Sequence, residues 1–149
     1  MMFRIAAFVC MMIVSLVTNA ANGLIWLESP HSPTETMDKL ETIVKDKGLK
    51  VFARIDHAKG AESIGESLRP TELLIFGNPK GGTPFMQCAQ TAGIDLPLKA
   101  LVWEDEEGRV WLGYNDPKYL ADRHGAPDCK VVDNLSDALA GMVNSVIER

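Results

Sequence analysis

The chain has 149 residues, enough for one domain with a sizeable core, and its formal net charge is −5. Fifteen Lys and Arg face 20 Asp and Glu, with no basic stripe or tail to neutralise phosphates. That excludes nucleic acid as an expected partner and disfavours anionic membrane surfaces.

The first twenty residues read as a secretory leader. Met1-Met2-Phe3-Arg4 supplies a positive start, Ile5 to Val17 is an apolar run of thirteen, and Thr18-Asn19-Ala20 puts small residues before a cut. The run is short for a bilayer span, although an uncleaved anchor is the alternative. The expected organisation is a signal peptide over 1–20 and a single domain over 21–149. The domain would be periplasmic or secreted, without stable membrane insertion after cleavage. Beyond the leader stand two cysteines, Cys88 and Cys129, and in an oxidising compartment such a pair is a disulfide candidate. Closing a loop of about 40 residues would be worth about 4 kcal/mol of chain entropy. Two free thiols are the alternative.

Gly23-Leu24-Ile25-Trp26-Leu27-Glu28 predicts a first strand. Ser32, Pro33 and Glu35 then form a helix start: an N-cap, a first-position proline and a capping box. Met37, Leu40, Ile43 and Val44 make its buried stripe, Glu35–Lys39 and Glu41–Lys45 its exposed i,i+4 pairs, and Gly48 its stop. A second strand runs from Leu49 to Asp56, with Leu49, Val51, Ala53 and Ile55 on one face and His57 continuing it. Asp56 caps a short helix over Ala58–Ile64.

Thr71 to Phe76 predicts a third strand, apolar on both faces and so expected to be covered on both. Asn78–Gly82 reads as a loop, Thr83 as the cap and Pro84 as the first residue of the next helix, which Gly93 ends. Leu98–Glu104 and the strand after Arg109 make a hairpin around Glu106-Glu107-Gly108, with Gly108 left-handed. That register sets Trp103 opposite Trp111, Val102 opposite Leu112 and Ala100 opposite Tyr114. Asp116-Pro117 starts a short helix ended by Gly125, Val131-Val132 reads as extended, and a final helix starts near Ser136. The stripe of that last helix is Leu139, Met142, Val143, Val146 and Ile147. Strands joined mainly by turns and flanked by helices indicate α+β with a largely antiparallel sheet.

Six motifs stand in order: Asp56-His57-Ala58, Leu68-Arg69-Pro70-Thr71, Phe76-Gly77-Asn78-Pro79 with Gly82-Thr83-Pro84, Ile94-Asp95-Leu96-Pro97-Leu98, Val102-Trp103-Glu104, and Tyr114-Asn115-Asp116-Pro117 with Tyr119-Leu120. In these the chain resembles domain of unknown function family 302. The resemblance implies a TBP-like α+β fold, roughly β-α-β4-α, with helices on one face of a curved antiparallel sheet. It implies no established reaction.

The functional candidates gather around the third strand's end. His57, beside Asp56, is a candidate general base or ligand, or a loop-holding histidine. Asn78, Lys80, Gly81, Gly82 and Thr83 form a candidate anion cradle, without the order of a P-loop, or a rigid turn. Tyr114, Asn115, Asp116, Tyr119 and His124 would line the same mouth if the fifth strand ends beside the third. No metal-ligand spacing occurs, and neither metal nor cofactor is expected. Leu101, Trp103 and Trp111 form an apolar patch that predicts a homodimer through sheet faces if helices cover only the other face. The leading expectation is an exported, non-catalytic domain binding a small molecule or partner protein. Alternatives are an enzyme with His57 as base and Asn78 in an oxyanion cradle, and a thiol-redox accessory using Cys88 and Cys129.

Overall fold

The computed structural model describes residues 18–19 and 22–148, so the expected leader lies almost wholly outside the described residues. The elements are β1 Thr18–Asn19, β2 Leu24–Ser29, α1 Pro33–Asp46, β3 Lys50–Asp56, α2 His57–Glu62 and β4 Thr71–Gly77. Then follow α3 Pro79–Cys88, a 3-10 turn Gln90–Ile94, β5 Leu98–Glu104, β6 Val110–Asn115, α4 Pro117–Arg123 and α5 Val131–Ile147. The strands form one antiparallel sheet in the order β1-β2-β6-β5-β4-β3. This is the expected α+β class. After β2 the chain crosses to the far edge through α1 and returns strand by strand until β6 lies beside β2. Alternate residues Leu74, Phe76, Ala100, Val102, Leu112 and Tyr114 therefore point at α1 and α5. There they meet Met37, Leu40 and Val44 of α1 and Leu139, Met142, Val143 and Val146 of α5. Each Val, Leu, Phe or Met among them, fully buried, contributes about 1.5–3 kcal/mol.

A smaller cluster of Phe85, Ala92, Leu120, Ala121, Cys129 and Val132 ties α3, the 3-10 turn and α4 to the start of α5. Cys88 and Cys129 meet at its rim with Cα atoms 5.9 Å apart and sulfurs within bonding distance, in the range a bridge spans. Val131-Val132, expected to be extended, instead opens α5, because Val132 is buried in this cluster.

Helix starts follow the local signals with two corrections. Ser32 caps α1 by accepting from the Glu35 N–H at 3.3 Å. The Glu35 carboxylate, however, pairs with Lys39 at 3.3 Å and His31 at 3.4 Å, so it does not complete a capping box. The second correction concerns α3, which begins at Pro79, not Pro84. Asn78 leaves β4 still extended, and its Oδ1 accepts from the Gly81 N–H at 3.0 Å, so the earlier cap-then-proline pair nucleates the helix and Pro84 falls inside it.

The hairpin register agrees in all three expected pairs, with Gly108 at φ +75°. In β3 the expected apolar face is broken by a bulge between Val51 and Ala53. Val51 packs toward the helices, Ile55 lies opposite Leu73 on the other face, and Arg54 turns toward α1. The third strand is fully buried on the helix side only. Leu73, Ile75, Leu101, Trp103 and Trp111 are half-buried on the opposite face and contribute nothing to the core. Trp26 joins them, since a Cβ on Gly113 would stand 3.1 Å from both the Trp103 ring and Trp26.

Two polar arrangements lock this frame. Arg54 donates to Glu72 at 2.6 Å, Asp38 at 2.6 Å and Glu41 at 3.2 Å, fastening the sheet edge to α1. Its pKa is raised, first by the Glu72 hydrogen bond. At the hairpin, Asp105 accepts from Trp111 Nε1 at 2.8 Å, Arg109 Nε at 2.8 Å and two backbone N–H groups. Burial opposes its charge, but the bonds from Trp111 and Arg109 outweigh it and hold the carboxyl at about 2, against an ordinary 3.8.

Arg54→Ala is expected to lower unfolding free energy by about 1–2 kcal/mol, after discounting charge-assisted bonds for partial exposure. Urea denaturation checks this, and an unchanged midpoint would remove the latch. For Asp105 the lowered pKa means its stabilisation is complete above pH 3.8 and is lost as pH falls through about 2. Acid unfolding of Asp105→Asn and the parent chain should therefore converge near pH 2; a constant gap down to that pH would contradict the assignment.

Candidate ligand site

The corner where β4 enters α3 carries the most unusual local sequence, two successive glycines within a helix. Each is worth about 1 kcal/mol less helix stability than alanine. At Gly81 the reason is close packing: a Cβ would stand 3.1 Å from Leu135 Cδ2 of α5. At Gly82 there is room, because a Cβ would make only ordinary contacts with Leu96 at 3.8 Å and Met86 at 4.0 Å. The missing side chain opens onto a cavity of about 320 Å³.

Its walls come from four places. From α3 come Gly82, Thr83 and Met86; from the segment leading into β5, Leu96, Pro97 and Leu98. Leu135, Ala138, Leu139 and Met142 of α5 form another side, and Leu49 with Phe52 closes the edge. Leu139 and Met142 belong to the main core, whereas Leu96 and Leu135 pack against the smaller cluster. The cavity is thus the unfilled seam between two cores built on one helix. Among the described residues no charged side chain lines it, and Asn78 and Thr83 are its only polar lining residues. Such a space gains affinity from apolar area removed from water.

The expected site residues separate. Asn78, Gly81, Gly82 and Thr83 line the cavity; Lys80 is exposed on α3 and does not. The anion cradle is not formed: Pro79 has no N–H, and the Gly81 and Gly82 N–H groups are taken by Asn78. His57 is exposed at the opposite end of the sheet. Lys50 pairs with Gly77 but Asp56 with Glu72, so six strand residues, about 20 Å, separate His57 from Asn78. The pairing of a His57 base with an Asn78 oxyanion cradle is therefore not assembled.

Tyr114, Asn115 and Tyr119 share the Asn78 end of the sheet but stand beyond β5. Tyr114 is a core residue whose pKa burial raises, Asn115 is exposed, and the Tyr119 ring lies against Gly23. Asp116 caps α4 through the Lys118 N–H at 2.9 Å. His124 lies outside the mouth, with Nε2 2.6 Å from Asp95 Oδ2 and Nδ1 3.0 Å from Thr91 Oγ1. Arg123 adds a 3.3 Å pair to Asp95. This chain of bonds has the order of a nucleophile, base and orienter. Its residues are absent from the cavity lining, and it acts as a brace between α4 and the 3-10 turn.

Of the α5 wall, sequence reasoning placed Leu139 and Met142 on the buried stripe and missed Leu135 and Ala138. All four follow the i, i+3, i+4, i+7 spacing of one helix face, which a helix started at Val131 displays in full. Phe52 was missed because only the bulge turns it toward the cavity.

Comparison with known proteins agrees with this architecture. A structure described as an uncharacterized conserved DUF302 protein from Bacillus stearothermophilus superposes with a TM-score of 0.75 at 20% identity, covering 83% of this chain and 98% of that one. At that identity the likeness is one of fold. Proteins named fluoride-specific ion channel FluC 1 from Brucella suis and FluC 2 from Brucella melitensis are each 52% identical over 103 residues, 69% of this chain. The aligned region is 41% and 38% of those proteins, so the chain spans about two fifths of the curated relatives it matches. No helix among the described residues is long and apolar enough to cross a membrane. The family model for the domain of unknown function DUF302 matches residues 25–143, and the chain belongs to that family.

Proposed function

We propose that this is an exported, non-catalytic binding domain that holds a small apolar molecule between α3, α5 and the Leu96–Leu98 segment. The observation that carries the reading is the 320 Å³ seam with no charged lining, kept open at Gly82. It is roughly twice the volume of an apolar cavity of about 150 Å³ that takes up benzene. A small, strongly hydrated anion would find little here to replace its water.

Two further expectations belong to this reading. The Cys88–Cys129 pair is a structural bridge: it anchors the end of α3 to the loop before α5, and so fixes two walls of the cavity. The half-buried face of Trp26, Trp103 and Trp111 is the surface through which two copies associate.

Gly82→Leu tests the cavity. The side chain fills the seam and improves helix propensity, so the melting temperature should hold or rise while affinity for a neutral fluorescent probe, N-phenyl-1-naphthylamine, falls about tenfold or more, the loss of over 1.4 kcal/mol of apolar contact. Equal binding by parent and variant would sink the proposal. Native mass spectrometry of the chain without residues 1–20, after thiol labelling, tests the rest: a dimer with no label is expected. A monomer removes the sheet-face interface, and two labels remove the bridge.

A further inference from the structure

The cavity accounts for an apolar body, but its rim carries a feature that an entirely apolar ligand leaves unused. Phe52, the residue extruded by the β3 bulge, lines the cavity while remaining 49% exposed. Lys50 lies two residues earlier and pairs with Gly77, another lining residue. Its ammonium sits over the Phe52 ring, 5.0 Å from the centroid. Lys50 does not itself line the cavity, but that contact holds its ammonium beside a ring that does. Lys39, Lys45, Lys59 and Lys118 each hold a carboxylate, whereas among the described residues no carboxylate lies within 4.0 Å of Lys50. Although the whole chain carries −5, among the described residues no acidic side chain lines the seam. An apolar slot with a cation at its lip is the arrangement that suits an amphipathic acid.

Building on the proposed cavity function, we propose that the ligand is an acyl or aryl carboxylate. Its hydrocarbon enters between Gly82, Leu96, Leu135 and Met142, and its carboxylate stays at the rim against Lys50. The ring of Phe52 covers the first carbons below the head group. Asn78 and Thr83 supply the remaining polar contact at the wall. Burying the tail provides most of the affinity, and the rim cation provides the choice of head group.

Decanoate and 1-decanol share a ten-carbon chain and differ in charge, so calorimetric titration of both at pH 7.5 separates tail from head. The parent chain is expected to bind the acid about fivefold more tightly than the alcohol, the scale of a part-exposed ion pair. Lys50→Gln should reduce the acid to the level of the alcohol and leave the alcohol unchanged, and Lys50→Glu should reverse the order. Lys50 is exposed, so both variants are expected to fold, and an unchanged melting temperature verifies that. Equal affinity for acid and alcohol in the parent overturns the carboxylate inference while leaving the cavity reading intact. A preference that survives Lys50→Gln but disappears in Lys80→Gln overturns the assignment to Lys50. No binding of either compound by the parent overturns both readings.

Discussion

The burial of one face of the sheet beneath α1 and α5 is the constraint on which the rest of the molecule depends. Because α1 carries the chain from β2 to the opposite edge, β3 to β6 must return in order, and their alternate residues are committed to the same side. Phe76, Leu74, Val102 and Leu112 are completely or almost completely removed from water there, as are Met37, Leu40 and Val146. The period of two in the strands and 3.6 in the helices lets this arrangement bury both apolar sets at once. The other face inherits what is left, including three tryptophans that the core does not use.

α5 is the element shared by both cores and the cavity. Its C-terminal half belongs to the main core, while Val132 and Leu135 near its N-terminus serve the smaller cluster under α3 and α4. Two cores joined along one helix need a side chain at the join to be continuous. The helix facing that join presents Gly81 and Gly82. Gly81 is explained by the approach of Leu135, whereas Gly82 has space in front of it and no packing reason to lack a side chain. A helix weakened in this way, beside a seam left empty, is the physical argument for reading the seam as a binding site and not as imperfect packing.

Charge is arranged around this frame without entering it. Arg54 collects three carboxylates at the sheet edge, and Asp105 collects the donors of the hairpin turn. His124, Asp95, Thr91 and Arg123 brace α4 against the turn beside the disulfide candidate. Lys99 is held by the carbonyls of Asp95 and Pro97 at 2.7 and 2.8 Å, with burial pulling its pKa down. These groups have partners and structural work. Lys50 stands over an exposed ring at the lip of an apolar space, and among the described residues no carboxylate lies within 4.0 Å of it.

By itself the sequence determined the class of fold, the α1 stripe and the hairpin register; it singled out Asn78, Gly81, Gly82 and Thr83 as an anion cradle, not as the wall of an apolar cavity. These are local or periodic signals: caps, glycine stops, alternation, and a loop length that admits one register. The tertiary structure decided between local signals of equal quality. Asn78-Pro79 and Thr83-Pro84 are both valid helix starts, and the one still extended from β4 captured the helix. The β3 bulge is invisible in the alternation Leu49, Val51, Ala53, Ile55, yet it turns Phe52 to the cavity and Arg54 to α1. His57 and Asn78 looked like neighbours because each ends a strand, but antiparallel pairing puts those ends on opposite sides of the sheet. A cavity made from a seam between two cores is a long-range object, set by which helices meet, and no local pattern encodes the space between them.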